Sequence, residues 1–159
     1  AEGYWQRGIV ALRQRAIVDA QRDLDRALSL NPSLAEVHAT YAELAEVKND
    51  VRGAIGHWAK AMNAQRVRPV WRFEYGSLLL ENRQHAEAIK QLKLALEGVK
   101  DSTPAPWTVR AHFALGEAYR KAGNGKAAAD SYRAYLEVAP QNAPERKDAL
   151  TALRALGGG

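Results

Sequence analysis

The chain has 159 residues, 47% hydrophobic and 26% charged, with a net charge of +5, a balance that supports a sizeable folded core and excludes a disordered polymer. It contains no cysteine, which excludes disulfides, thiolate metal sites and a cysteine nucleophile, and fits a reducing compartment such as the cytoplasm without excluding an oxidising one. No apolar run approaches the roughly 20 residues of a membrane-spanning helix, and basic residues are mixed with acidic ones rather than gathered into the stripe that nucleic-acid binders carry.

The opening AEGYWQRG lacks the basic and apolar regions of a signal peptide and has no initiator Met, so the sequence reads as a piece of a longer protein. A first helix is expected from about Tyr4 to Arg13, with Tyr4, Gly8 and Ala11 on one face. A second runs over about 17–30, where Ala20, Leu24, Ala27 and Leu28 recur at helical spacing. Asn31-Pro32 stops it, and Ser33 with Glu36 reads as a capping box for the third helix. Helices follow near 34–47 and 51–64, joined by Lys48-Asn49-Asp50, and near 70–81 and 84–98, joined by Glu81-Asn82-Arg83-Gln84. Thr103 is the expected N-cap of a seventh helix, with Pro104 in its first turn. That helix reaches about Lys121 and stops at Ala122-Gly123-Asn124-Gly125. An eighth spans about 126–138 before Pro140, and a ninth starts at Asn142–Glu145 and runs to about Leu156. The closing glycines read as linker.

A fixed period runs through these elements. Ala20 and Ala27 return as Ala54 and Ala61, then as Ala88 and Ala95, each 34 positions later. The larger residue between them recurs as Leu24, Trp58 and Leu92. A fourth copy, Ala128, Tyr132 and Tyr135, follows Ala88 after 40 positions. A period in this range implies a stacked helical array in which each repeat buries its apolar face on the next. The six extra positions fall around Asp101–Thr108. In such an array Leu150, Leu153 and Leu156 are expected to cover the last repeat as a terminal cap.

This pattern resembles the tetratricopeptide repeat. The fourth copy matches its signature with His112, Leu115-Gly116, Tyr119, Ala128, Tyr132 and Pro140. The first has Tyr4, Gly8, Ala20, Leu24, Ala27 and Pro32; the second Tyr41-Ala42, Ala54, Trp58 and Ala61; the third Tyr75-Gly76, Ala88, Leu92 and Ala95. The resemblance implies an all-α fold, a right-handed superhelical solenoid of antiparallel helix pairs with about nine helices. It divides the chain, as one domain, into repeats at about 1–34, 35–68, 69–102 and 109–142, an insert near 103–108 and a capping helix near 143–156. Gly8, Ala42, Gly76 and Gly116 are expected to let paired helices approach closely. Arg7, where the signature prefers Leu, suggests a surface with nothing stacked before it. Arg72 departs too, standing where the signature prefers an aromatic, and Arg66 and Lys100 replace the terminal Pro.

In this family the first helix of each pair lines a concave groove. That register assigns Trp5, Ile9, Leu12 and Arg13 to it from the first repeat, and Glu36, Ala39, Glu43, Glu46 and Val47 from the second. The third contributes Val70, Phe73, Ser77, Leu80 and Glu81, and the fourth Arg110, Phe113, Glu117, Arg120 and Lys121. A peptide or helix with aliphatic anchors and basic flanks would complement most of this surface. Trp5, Phe73 and Phe113 fit a packing role equally well, and Trp107 is expected to tuck under the preceding helix. The carboxylate clamp of chaperone-tail-binding members is missing from both possible frames, which read Trp5, Ile9, Thr40, Val70, Glu74 and Ala39, Glu43, Glu74, Arg110, Ala114.

No catalytic or cofactor motif is found. His38, His57, His85 and His112 lie far apart in sequence without zinc-ligand spacing, and His38 and His112 read as structural. Gly123-Asn124-Gly125 follows no strand, and no serine sits in a nucleophile elbow. The expected function is therefore non-enzymatic, a protein–protein interaction scaffold with no cofactor or metal. Its partner is a protein or peptide; nucleic acid and direct membrane insertion are not expected. The alternatives are a spacer or self-association segment of a longer solenoid and, third, single-stranded RNA binding, which the dispersed charge opposes. The Ala- and Arg-rich composition with one Met resembles GC-rich bacterial usage. On that footing the resemblance implies an assembly factor for envelope machines, pili or secretion systems, or a regulator of signalling complexes.

Overall fold

The structure, a computed structural model, describes residues 1–100 and 105–157. The described residues form nine α-helices and no strand: α1 (Glu2–Arg13), α2 (Ile17–Leu30), α3 (Ala35–Val47), α4 (Val51–Ala61), α5 (Pro69–Glu81), α6 (His85–Glu97), α7 (Pro106–Lys121), α8 (Gly125–Val138) and α9 (Arg146–Ala155). They gather into two compact units, Ala1–Val67 and Arg68–Gly159. Within the first, α1 pairs with α2 and α3 with α4, and α3 also packs on α1 and α2. Within the second, α5 pairs with α6 and α7 with α8; α7 packs on α5 and α6, and α9 on α8.

The periodic residues are the ones that seal each pair. Ala20, Leu24 and Ala27, and their counterparts Ala54, Trp58, Ala61, Ala88, Leu92, Ala95, Ala128, Tyr132 and Tyr135, are all 0% exposed. Removing a large apolar side chain from water contributes about 1.5–3 kcal/mol, so these rows fix which face of α2, α4, α6 and α8 turns inward. The facing helix answers with a small residue. A Cβ on Gly8 would lie 2.9 Å from Leu24, on Gly76 2.9 Å from Leu92, and on Gly116 2.7 Å from Tyr132. The expected close approach within pairs is present.

The turn inside each pair repeats as well. Arg15, Asn49, Arg83 and Gly123 all have positive φ, and the next residue's N–H reaches back to a carbonyl five positions earlier. These bonds are Ala16 to Ala11 (2.9 Å), Asp50 to Ala45 (2.8 Å), Gln84 to Leu79 (2.9 Å) and Asn124 to Tyr119 (2.9 Å). This is the Schellman closure of a helix. Asp50 and Asn124 then cap the following helix, accepting from Gly53 N–H at 2.9 Å and Ala127 N–H at 3.1 Å.

Several local expectations change. Ser33 and Glu36 form no capping box: α3 starts after Leu34 without a side-chain cap, and Ser33 instead donates its N–H and hydroxyl to Asn31 Oδ1. Asn31, just past the end of α2, competes successfully for it. The fourth helix ends at Ala61 because Asn63 and Ala64 bond three residues back and tighten the chain into turns. Thr103 and Pro104 lie outside the described residues; α7 starts at Pro106 with Ala105 as its N-cap, and at 16 residues it is longer than α1, α3 or α5. The ninth helix begins at Arg146, after turns at Ala143 and Arg146. Arg146 Nη1 meanwhile caps the end of α8, donating to the Leu136 and Ala139 carbonyls at 3.1 Å each. Of the three capping leucines, Leu153 (7% exposed) and half-buried Leu156 pack on the Ala128–Tyr135 cluster, whereas Leu150 points to solvent at 41%.

Candidate partner-binding site

Each unit presents its own face of first helices. In the unit Ala1–Val67, Trp5 on α1 is half-buried and donates its indole N–H to Thr40 Oγ1 on α3 at 2.9 Å. Thr40 in turn donates to the Glu36 carbonyl at 3.0 Å. This chain of bonds fixes α1 against α3, with Ile9 and Leu12 half-buried beside it. On α3, Glu36 is half-buried and Glu43 and Glu46 are exposed; Glu46 also accepts from the Trp58 indole at 2.8 Å. Ala39 is buried, and Arg13 and Val47 are exposed. The result is a partly apolar row next to an acidic one.

In the unit Arg68–Gly159, Phe73 is 2% exposed and packs against Trp107 with ring centroids 5.5 Å apart. The Arg110 guanidinium lies 5.6 Å from the same ring. Trp107 therefore packs on α5, two helices back. Phe73 and Leu80 (9% exposed) belong to the core and offer a partner little surface. Val70 and Ser77 are half-buried, while Glu81, Arg110, Arg120 and Lys121 are exposed. Phe113 is half-buried against Tyr132 and Tyr135.

Glu117 and Arg120 are held by each other. Arg120 meets the carboxylate through Nε at 3.2 Å and Nη2 at 2.7 Å, and the fully buried Tyr132 donates its hydroxyl to Glu117 Oε1. Burial would raise the Glu117 pKa, but the hydrogen bonds from Arg120 and Tyr132 outweigh it and hold it below the usual range. Burial, then the bond to Glu117, pushes the Tyr132 phenol up.

A polar position on the second helices, buried at Asp23 and Gln91 and half-buried at His57, carries no signal in the sequence. Asp23, His57 and Gln91 occupy it in successive pairs, and each bonds to the first helix of its own pair. Arg7 clasps Asp23 (Nη2 to Oδ1 2.5 Å, Nε to Oδ2 3.1 Å), and Arg72 donates to Gln91 Oε1 at 2.8 Å. His57 Nδ1 lies 3.2 Å from His38 Nδ1, and its ring stacks on Tyr41 with centroids 4.5 Å apart. His38 Nε2 must donate to the Pro32 carbonyl, 2.9 Å away, so its Nδ1 accepts and His57 donates. Two histidines 19 positions apart thus meet across a helix pair. Two of the departures from the repeat signature, Arg7 and Arg72, are accommodated by this layer. Among the described residues no group of three or more His, Asp or Glu is arranged to hold a metal, and no helix is long and apolar enough to cross a membrane.

Residues 68–141 match the family profile of the tetratricopeptide repeat. The helix pairs preceding them carry the same spacing and the same sealed rows. Residues 68–141 are thus a tetratricopeptide-repeat segment. Solved structures agree in fold. YrrB, described as a TPR protein with an unusual peptide-binding site, is 20% identical over 98% of this chain and 77% of its own, with a TM-score of 0.85. MamA from Desulfovibrio magneticus is 15% identical over 99% of this chain and 85% of its own, at 0.83. PilF of Pseudomonas aeruginosa is 21% identical over 99% of this chain and 76% of its own, at 0.73. No curated protein matches the sequence. At these identities the likeness is one of fold, and a tetratricopeptide-repeat fold supports a protein-interaction scaffold in general terms.

Proposed function

We propose that this chain recruits a partner through the face of its first helices, as one part of a larger bacterial assembly or signalling protein. The observation that carries the reading is the pairing, in the unit Ala1–Val67, of half-buried Trp5, Ile9 and Leu12 with the acidic row Glu36, Glu43 and Glu46. Aliphatic side chains of a partner segment would cover the first row, and flanking Lys or Arg would meet the second. The indole bond to Thr40 holds Trp5 in place before binding, which lowers the ordering cost. YrrB, with the same fold, is described as having a peptide-binding site. The unit Arg68–Gly159 has a face of its own first helices, with exposed Arg110 and half-buried Val70 and Ser77.

The test is a pull-down from bacterial extract with the wild type and with Glu36→Lys/Glu43→Lys, circular dichroism checking that the variant stays helical. A partner captured by the wild type and lost by the folded variant supports the reading. A partner held equally by both places the contact elsewhere, and capture of nothing by either favours the spacer alternative.

A further inference from the structure

The unit Arg68–Gly159 has a cleft on the side of α7 turned away from Arg110, Phe113 and Glu117. Lys93, Leu96 and Glu97 of α6, Val99 and Lys100 after it, Thr108, His112 and Leu115 of α7 and Val138 of α8 enclose a cleft of about 410 Å³. That volume falls within the range of ligand-binding clefts. Its floor and walls are apolar: Leu115 is 8% exposed, Leu96 and Val99 are half-buried, and Val138 is 48% exposed at the rim. Thr108 spends its hydroxyl on the Ala105 carbonyl at 2.6 Å and adds only its methyl. The charged groups of the lining are Lys93, Lys100 and Glu97, which leave it net positive. Lys93 is exposed and forms no ion pair among the described residues; exposed Lys100 pairs with exposed Glu97 at 2.5 Å, a contact that solvent exchanges readily. His112 is half-buried in the wall and makes no hydrogen bond among the described residues. Burial keeps its ring towards the neutral form against the pull of Glu137, so it offers one donor and one acceptor.

We propose that this cleft takes one aliphatic side chain of Leu or Ile size from an extended partner peptide that carries a carboxylate on either side of that residue. The apolar walls accept the side chain. Lys93 of α6 and Lys100, in the turn after it, both line the cleft and meet the two carboxylates, and His112 meets the peptide backbone. Val138 and Lys93 are exposed at its rim, which suits a side chain projecting from a peptide rather than an acyl chain that must be engulfed. This preference for acidic flanks is the reverse of the one proposed for the α1–α3 face, so the two surfaces take different partner segments.

The probe is the pentapeptide acetyl-Ala-Glu-Leu-Glu-Ala-amide, titrated into isotope-labelled full-length chain and followed by NMR. Saturable shifts are expected at Leu96, Val99, His112 and Val138. The Gln-Leu-Gln version of the peptide and the Lys93→Glu variant should each weaken binding about fivefold or more, and Val138→Asn should remove saturation. Glu36→Lys/Glu43→Lys should leave this titration unchanged, which separates the cleft from the first-helix face. Shifts that stay linear, equal binding of the Gln peptide, or indifference to Lys93→Glu would each overturn the proposal. Decanoate binding more tightly than the peptide would also overturn it, by assigning the cleft to an acyl chain.

Discussion

Gly116 and Tyr132 meet across the α7–α8 pair so closely that a Cβ on the glycine would stand 2.7 Å from the ring. The ring has no room to retreat, since Tyr132 is 0% exposed and its hydroxyl is bonded to Glu117 and Arg120. At Gly8 the corresponding atom is a methyl of Leu24, 2.9 Å away at the flexible end of its side chain. Alanine within a helix is favoured over glycine by about 1 kcal/mol, whereas overpacking costs about 1–3 kcal/mol. Gly116→Ala should therefore destabilise the chain by about 1–2 kcal/mol, while Gly8→Ala should be near neutral. Urea unfolding followed by circular dichroism reads both, and equal effects at the two sites would contradict the account.

The left-handed turn residues make an independent set. Arg15 (φ 58°) and Arg83 (φ 60°) occupy the position that Gly123 fills at φ 82°. A side chain there costs about 1–2 kcal/mol of backbone strain, partly offset by the freedom that glycine returns to the unfolded chain. Arg83→Gly should stabilise by about 0.5 kcal/mol. Gly123→Ala should destabilise by about 1 kcal/mol from the backbone alone, because nothing lies within 4 Å of the added Cβ. A destabilising Arg83→Gly would show that the arginine side chain contributes something its exposed position does not suggest.

These two sets also mark what was legible in the sequence. The period of 34 fixed the sealed rows, because burial of Ala20, Leu24 and Ala27 depends only on which helix face they share. Gly123 and Asn49 signalled their turns by type, and Arg83 did not, since arginine reaches the left-handed region only when the surrounding helices hold it there. Leu150 was read as a cap because it shares spacing with Leu153, yet one face of a short helix buries only part of an apolar stripe. The groove register likewise placed Phe73 and Leu80 by position, but Phe73 is taken up by Trp107, a contact across two helices. The polar layer repeats at the same period, at Asp23, His57 and Gln91. Its partners lie on the first helix of each pair, at Arg7, His38 and Arg72, and no local pattern pairs them.

The Arg7–Asp23 clasp gives that layer an acid signature. The hydrogen bond from Arg7 holds the Asp23 carboxyl below its ordinary range, with burial opposing it and the charge of Arg7 assisting. The unfolded carboxyl titrates near ~3.9. The contribution is thus present above that pH and is lost as pH falls through the lower, folded value. Arg7→Leu should remove it and destabilise the chain at neutral pH, since Asp23, 5% exposed, keeps only Arg22 Nε at 4.0 Å. Arg7→Leu with Asp23→Ser should recover much of the loss, as removing both partners does for buried pairs. Thermal melts of the three variants at pH 7 and pH 3 check this; a single Arg7→Leu as stable as the wild type would mean the clasp is idle.

The histidines add a second step at milder pH. Burial lowers the His57 pKa first, followed by the charges of His38 and Lys60, with Asp50 pulling the other way. Its face is closed by Tyr41 and its Nδ1–H donates to His38, so an added proton goes to Nε2 and charges a half-buried ring. In the other unit burial lowers His112, opposed by Glu137. The unfolded imidazole titrates near ~6.5, above both folded values, so between them the unfolded chain binds more protons. Stability is then full above about pH 6.5 and declines as pH falls below it. Melting temperature should drop between pH 7.5 and pH 5, well before the Asp23 step. His57→Asn should flatten part of that drop while retaining a donor for His38, and His112→Asn should flatten another part. If both variants follow the wild-type curve from pH 7.5 to 5, the acid sensitivity lies in the carboxylates and the paired rings play no part in it.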